Sequence, residues 1–192
     1  MANLHDIVQW CNQTLKANEF KDYAPNGLQI EGKSKVNKIV CAVTASEDAI
    51  DAAIAQQADA LLVHHGYFWK GEPYPITGMR GNRIKKLIQN NISLIAYHLP
   101  LDVHPEVGNN AQLAKLLDIK VRRGLEPWNS KSVAMVGKLE EPMSGRDFAT
   151  LIAERLGREP LYCGDTGPEL IRSVAWCTGG GQSYINLAAE QG

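Results

Sequence analysis

Two adjacent histidines, His64 and His65, close a short apolar run at residues 60–63 and are followed by Gly66-Tyr67-Phe68-Trp69. A second apolar run, residues 92–97, ends in His98-Leu99-Pro100-Leu101-Asp102-Val103-His104. Imidazole and carboxylate groups together suit zinc, iron, manganese or nickel, whereas calcium prefers an all-oxygen shell. Asp102 could bridge two ions through its two oxygens, and His98 or His104 could move protons beside them. Neighbouring residues on a strand point to opposite faces. His64 and His65 are therefore expected to share one site only where the strand has ended, or else to address two different ions. The plainer alternative is that the pair caps a strand and His98 bonds within the core. Four such groups at two strand ends set the two readings on an even footing.

The elements that must carry these groups are legible from periodicity. Leu4, Ile7, Val8, Cys11 and Leu15 follow helical spacing and predict an amphipathic first helix. The stretch Tyr23-Ala24-Pro25-Asn26-Gly27 reads as a turn. Residues 39–43 read as a buried strand, with Cys41 as a small core residue, and Thr44-Ala45-Ser46-Glu47 as a helix start. Strands at 60–63 and 92–97 alternate with helices around Ile84, Leu87 and Ile88 and at 110–117, and Pro73 and Pro75 make 71–78 a loop. This β-α-β-α order predicts an α/β fold with mostly parallel or mixed sheets flanked by helices. In such sheets ligands bind beyond the carboxyl ends of the strands, where both histidine motifs fall.

The pattern changes near Gly124, which suggests a first unit over 1–124 and a second over 125–192. Strands are expected at 132–137, 161–163 and 173–177, with helices around Phe148, Leu151, Ile152 and Leu156 and from about Ser183. Val40-Cys41-Ala42-Val43-Thr44 aligns without a gap on Val174-Ala175-Trp176-Cys177-Thr178, and Ala55-Gln56-Gln57 on Ala189-Glu190-Gln191. This echo suggests duplicated α/β units, the second of them incomplete. Gly179-Gly180-Gly181 lacks a P-loop lysine and reads as a strand-to-helix turn rather than an anion cradle.

With 192 residues, 44% apolar and 21% charged, the chain can bury a sizeable core. A net charge of −1 provides no global field to gather nucleic acid or an acidic membrane, so neither is an expected partner. Local basic clusters, Lys33, Lys35 and Lys38 and then Arg80, Arg83, Lys85 and Lys86, read as solvated faces. Four cysteines without C-x-x-C spacing suggest neither a zinc knuckle nor a redox dithiol. Neither a signal peptide nor a membrane-length apolar window stands out, so a cytoplasmic protein is expected.

Four stretches together resemble the GTP cyclohydrolase 1 type 2 homolog family, and within it the bacterial YbgI-like branch. They are Asp22-Tyr23-Ala24-Pro25-Asn26-Gly27-Leu28-Gln29, His64-His65-Gly66-Tyr67-Phe68-Trp69, His98-Leu99-Pro100-Leu101-Asp102 and Trp176-Cys177-Thr178-Gly179-Gly180-Gly181. The resemblance spans essentially the whole chain. It implies two intertwined α/β units, a dinuclear centre of divalent transition metals and a ring-shaped homohexamer. His64, His65 and Asp102 are the metal ligands it implies, with His98 close by. It also implies a further histidine and glutamate beyond the region seen here, since no histidine follows His104. The chain as given is therefore expected to bind metal weakly and turn over little. The function expected is metal-dependent hydrolysis of a nucleotide-like or phosphoester substrate. The competing reading is a non-enzymatic ring-shaped scaffold for protein or DNA with a structural metal.

Overall fold

The computed structural model describes residues 1–164 and 166–192. It divides into two compact units, Met1–Leu101 and Asp102–Gly192. The change of pattern near Gly124 falls inside the second unit, at the end of a strand.

In chain order the first unit contains β1 (Ala2–Asn3), α1 (Leu4–Thr14), β2 (Gly27–Ile30), β3 (Lys35–Val36), β4 (Ile39–Thr44), α2 (Glu47–Ala55), β5 (Ala60–His65), α3 (Gly78–Gln89) and β6 (Ser93–Ala96). The short helix α4 (Leu99–Val103) carries the chain into the second unit, which continues with α5 (Asn109–Leu116), β7 (Ile119–Gly124), β8 (Met135–Met143), α6 (Gly145–Leu156), β9 (Ile171–Trp176) and α7 (Ile185–Glu190).

The main sheet of the first unit has the order β2-β6-β5-β4. β5 runs parallel to both β4 and β6, and β2 is antiparallel to β6. Both faces of the two central strands are covered, and the alternation of side chains assigns each residue to a face. Leu61, Val63, Leu94 and Ala96 pack with Ile50 and Ala53 of α2 and Ile84 and Leu87 of α3. On the opposite face Ala60, Leu62, Ile95 and Tyr97 pack with Leu4, Ile7, Val8 and Cys11 of α1. Each fully buried Leu or Ile contributes roughly 1.5–3 kcal/mol, so this two-sided core fixes the register of β5. The helices begin as their sequences dictate. Asn3 Oδ1 accepts from His5 N–H at 2.9 Å, and Ser46 Oγ accepts from Ala49 N–H at 3.2 Å.

β4 corrects one expectation. It forms as predicted but lies at the sheet edge, with Cys41 exposed and Val43 68% exposed. An apolar run does not distinguish a central strand from an edge strand, because lateral position is decided by pairing and not by composition. β2 begins at Gly27, the last residue of the expected turn, and supplies the antiparallel partner of β6.

The second unit holds an antiparallel sheet, β7-β8-β9. Ile119, Leu139, Ala114 and Leu117 form its core, with Phe148 and Ile152 of α6 packed on them. The strand expected at 132–137 starts three residues later. Ser132 is buried, its hydroxyl donating to Ala134 O at 2.7 Å and accepting from Glu126 N–H at 3.2 Å. Pro142 lies inside the break in the β8–β9 register, where it forfeits no ladder bond. Leu161, Tyr162 and Cys163 have no regular secondary structure, contrary to expectation. Leu161 is 95% exposed, and the Tyr162 ring lies under the Arg146 guanidinium at 5.7 Å, beside the start of α6. The echo between the halves is real as local structure. Both copies are a strand followed by a helix, β4–α2 and β9–α7.

Residues of both basic clusters form local ion pairs. Lys33 pairs with Asp59 at 2.8 Å, Arg80 with Glu72 at 2.7 Å, and Lys86 with Glu47 at 2.6 Å and Asp51 at 2.8 Å. Among the described residues no helix is long and apolar enough to cross a membrane.

Candidate metal centre

β5 ends at His65, so both histidines are still strand residues. His64 and His65 nevertheless serve one place. Their ring centroids lie 4.5 Å apart, and the His98 ring lies 5.1 Å from His64 and 5.8 Å from His65. One ligand-capable atom from each of the three lies within 4.8 Å of the others. Strand alternation governs the direction of Cβ, and a side chain with two torsions can still turn over the end of the sheet. The strand has thus not ended where the two rings come together.

The hydrogen bonds decide which nitrogen each ring offers. His64 Nδ1 lies 2.9 Å from Tyr97 O, and a carbonyl can only accept, so Nδ1 carries the proton and Nε2 is left as the ligand atom. His98 Nδ1 lies 2.7 Å from Asp22 Oδ1, with the same consequence. His65 Nδ1 meets Thr44 Oγ1 at 3.1 Å, and that hydroxyl can donate or accept. A backbone carbonyl or a carboxylate behind a metal-binding imidazole is the usual support for such a ligand. The three rings therefore fit a divalent transition metal in residue type and spacing, and His64 and His98 also in tautomer.

Asp22 was not anticipated as part of the site. Its carboxylate is 3% exposed and accepts four hydrogen bonds. Oδ1 takes His98 Nδ1–H at 2.7 Å and Tyr23 N–H at 2.6 Å, and Oδ2 takes Asn26 Nδ2–H and Leu99 N–H, both at 2.9 Å. Asn26 Oδ1 accepts His98 N–H at 2.7 Å. Burial pushes the Asp22 carboxyl up, but these hydrogen bonds, led by His98, outweigh it and hold it at about 2. The signal was present in the turn Asp22-Tyr23-Ala24-Pro25-Asn26-Gly27, whose carboxylate and amide are spaced to clamp one backbone segment. The segment they clamp lies 72 to 77 residues away.

Gln29, from the same stretch, holds the other side of the site. Its Oε1 accepts Tyr67 N–H at 2.8 Å and its Nε2 donates to Tyr67 O at 3.1 Å. Tyr67 is a core residue whose hydroxyl donates to Ala45 O at 2.7 Å, and burial pushes its phenol up to about 12. Trp69 meets His98 edge-on at 4.8 Å and lies 5.9 Å from His65, so it walls the cluster. Phe68, between them, has φ +65°, a costly backbone conformation for a bulky residue and one that gathers at functional sites.

Asp102, the first residue of the second unit, is 3% exposed. Within that unit its Oδ1 accepts Asn109 Nδ2–H at 2.8 Å and lies 3.2 Å from the Thr178 hydroxyl. Thr178 N–H also donates to Asn110 Oδ1 at 2.9 Å. Burial, and then the Asp102 charge, push the Cys177 thiol up. His104 has a local task. Its Nδ1 accepts Glu106 and Val107 N–H, both at 3.2 Å, capping the turn after α4.

Comparison with known proteins gives consistent matches. The Duf34/NIF3 (NGG1p interacting factor 3) family matches residues 2–192. A Haemophilus influenzae protein named GTP cyclohydrolase 1 type 2 homolog is 58% identical over 192 residues, which cover 100% of this chain and 76% of that protein. Its Escherichia coli namesake is 54% identical over 187 residues, covering 97% and 74%. Among solved structures, protein ybgI, of unknown function, superposes with a TM-score of 0.95 at 53% identity, over 100% of this chain and 75% of that one. A Thermus thermophilus protein gives 0.84 at 32% identity, over 96% and 74%.

Proposed function

The chain belongs to the Duf34/NIF3 family, and from that premise we propose that it is a dinuclear metal-binding protein acting as a metal-dependent hydrolase on a nucleotide-like or phosphoester substrate. The observation that carries this reading is the cluster of His64, His65 and His98, with ligand atoms within 4.8 Å and two rings held in the tautomer that frees Nε2. On the family resemblance His64, His65 and Asp102 would be the residues that hold the ions, and iron, zinc, manganese and nickel would all suit these donors. Divalent ions bound there supply Lewis acidity toward a substrate oxygen and lower the pKa of water.

The protein's own groups do the rest. Tyr97 O and Thr44 Oγ1 orient His64 and His65. His98 takes up or delivers a proton at Nε2 while its Nδ1–H stays on Asp22. Trp69 closes one side of the cluster and offers a flat apolar edge beside the reacting groups. A cytoplasmic homohexamer, with no nucleic acid or membrane partner, completes the proposal on the family resemblance and the near-zero net charge.

Elemental analysis of the purified protein, with turnover assayed against a panel of nucleotides and phosphoesters before and after chelation, tests this reading. Metal-dependent turnover, weak in this chain and measured with the ion in excess, that disappears in His64→Ala is the expected result. Stoichiometric metal without turnover on any substrate would leave a structural ion and refute the hydrolase.

A further inference from the structure

We propose that Asp22 is a positioning residue: its buried carboxylate locks His98 as the Nδ1–H tautomer and aims Nε2 at the histidine cluster. The inference deepens the functional reading above, but it rests on geometry that holds with or without a metal. The Asp22 carboxylate has four acceptor sites, and four donors fill them: His98 Nδ1–H, Tyr23 N–H, Asn26 Nδ2–H and Leu99 N–H. Two of these come from the segment that leaves β6. Asn26, itself anchored on Asp22, takes a third group there, His98 N–H. Ring and backbone of residue 98 are thus both tied to the turn at 22–26, and the ring retains no freedom to exchange its nitrogens. Trp69 stands edge-on against the same ring at 4.8 Å, which limits its rotation from another side.

The arrangement explains why a carboxylate is needed and an amide will not serve. An asparagine at 22 offers one acceptor oxygen and one NH2 group. If the oxygen faces His98, the NH2 opposes Asn26 Nδ2–H and Leu99 N–H, donor against donor. If the NH2 faces His98, the ring must accept at Nδ1 and carry its proton on Nε2, the wrong atom for the site. Either way at least two of the four bonds are lost, and in the second case His98 no longer presents a lone pair.

The test reads the tautomer directly, by long-range proton–nitrogen NMR of the metal-free protein with imidazoles neutral, the His98 signals being assigned by their loss in His98→Ala. Wild type should show His98 as a single Nδ1–H tautomer. Asp22→Asn should show a mixture, or the Nε2–H form. Asn26→Ala is the structural control: it removes one bond to Asp22 and one to the His98 backbone but touches no ring atom, so it should destabilise the fold while keeping the wild-type tautomer. An Nε2–H signal in wild type overturns the proposal whether or not any variant folds. So does a single Nδ1–H tautomer kept in Asp22→Ala, which leaves the ring no acceptor at position 22, or its loss in Asn26→Ala. Absence of metal binding in wild type even with the ion in excess would defeat the hydrolase reading and leave this result standing, so the two failures are distinguishable.

Discussion

At the scale of single residues, the four non-terminal histidines divide by what their Nδ1 does. In His64 and His98 it faces an acceptor, which puts the ring lone pair on Nε2, in His65 it meets a hydroxyl, and in His104 it accepts from two backbone N–H groups. This division makes a prediction about metal retention after dialysis. On the proposed ligand set, His64→Ala and Asp102→Asn should weaken metal binding, because one would remove a donor and the other a charge that would balance the cations. His104→Ala should retain it and cost about 0.5–2 kcal/mol of stability as a lost turn cap. Equal metal content in Asp102→Asn and His104→Ala, by elemental analysis, would contradict the assignment of Asp102.

At the scale of elements, two positions decide whether β5 delivers its histidines correctly. Gly66 follows the strand so closely that a Cβ there would overlap Gln29 Oε1 and lie 2.8 Å from Ala96 Cβ. Gln29 cannot easily move aside, since its amide is bonded to Tyr67 on both sides and to Pro25 O. Gly66→Ala should therefore cost about 1–3 kcal/mol, read as a fall in Tm of several degrees. At the other end of β5, Asp59 ties the strand's start to its neighbours. Its carboxylate accepts Lys33 Nζ at 2.8 Å and the N–H groups of Asn37 and Lys38 at 2.9 and 3.2 Å. The Lys33 hydrogen bond first, then that of Asn37 N–H, hold its carboxyl below the ordinary 3.8. A depressed folded value means the stabilisation is fully present above the unfolded pKa of about 4 and is lost as pH falls through the folded one. Asp59→Asn should accordingly flatten the acid limb of stability below about pH 4 while lowering stability at neutral pH. Parallel acid limbs for the two proteins in urea titrations would show that Asp59 does not contribute.

At the scale of the whole molecule, the exposed apolar residues of β4, Ile39 and Val43, sit on an edge strand with Cys41 between them. Uncovered edges with apolar side chains invite pairing with another chain. Light scattering at micromolar concentration should give a mass that is a multiple of the 21.1 kDa chain, with six copies as the proposed assembly. A monomeric mass would overturn that proposal. Chelation should also lower Tm, because an ion bound only by the folded protein stabilises it in proportion to RT ln(1 + [L]/Kd). An unchanged Tm after metal removal would mean that the cluster holds no ion under those conditions.

Periodicity and spacing in the sequence were enough to place α1, α2, α3, β5 and β6, to put His64, His65 and His98 beside strand ends, and to predict the α/β class. These features depend on residues within a few positions of one another, where side-chain period and capping preferences act directly. What only the tertiary structure decided depends on partners far along the chain. β4 is an edge strand because among the described residues no strand pairs on its far side, and residues 161–163 form no strand although their composition allowed one. His64 and His65 converge because their rings turn over the sheet end toward Tyr97 and Thr44, on the two neighbouring strands or just past them. Asp22 reaches His98 across 76 residues, a contact that no local pattern encodes. A hydrogen bond requires its partners within about 3 Å of each other, and for groups so distant in sequence only the completed fold establishes that distance.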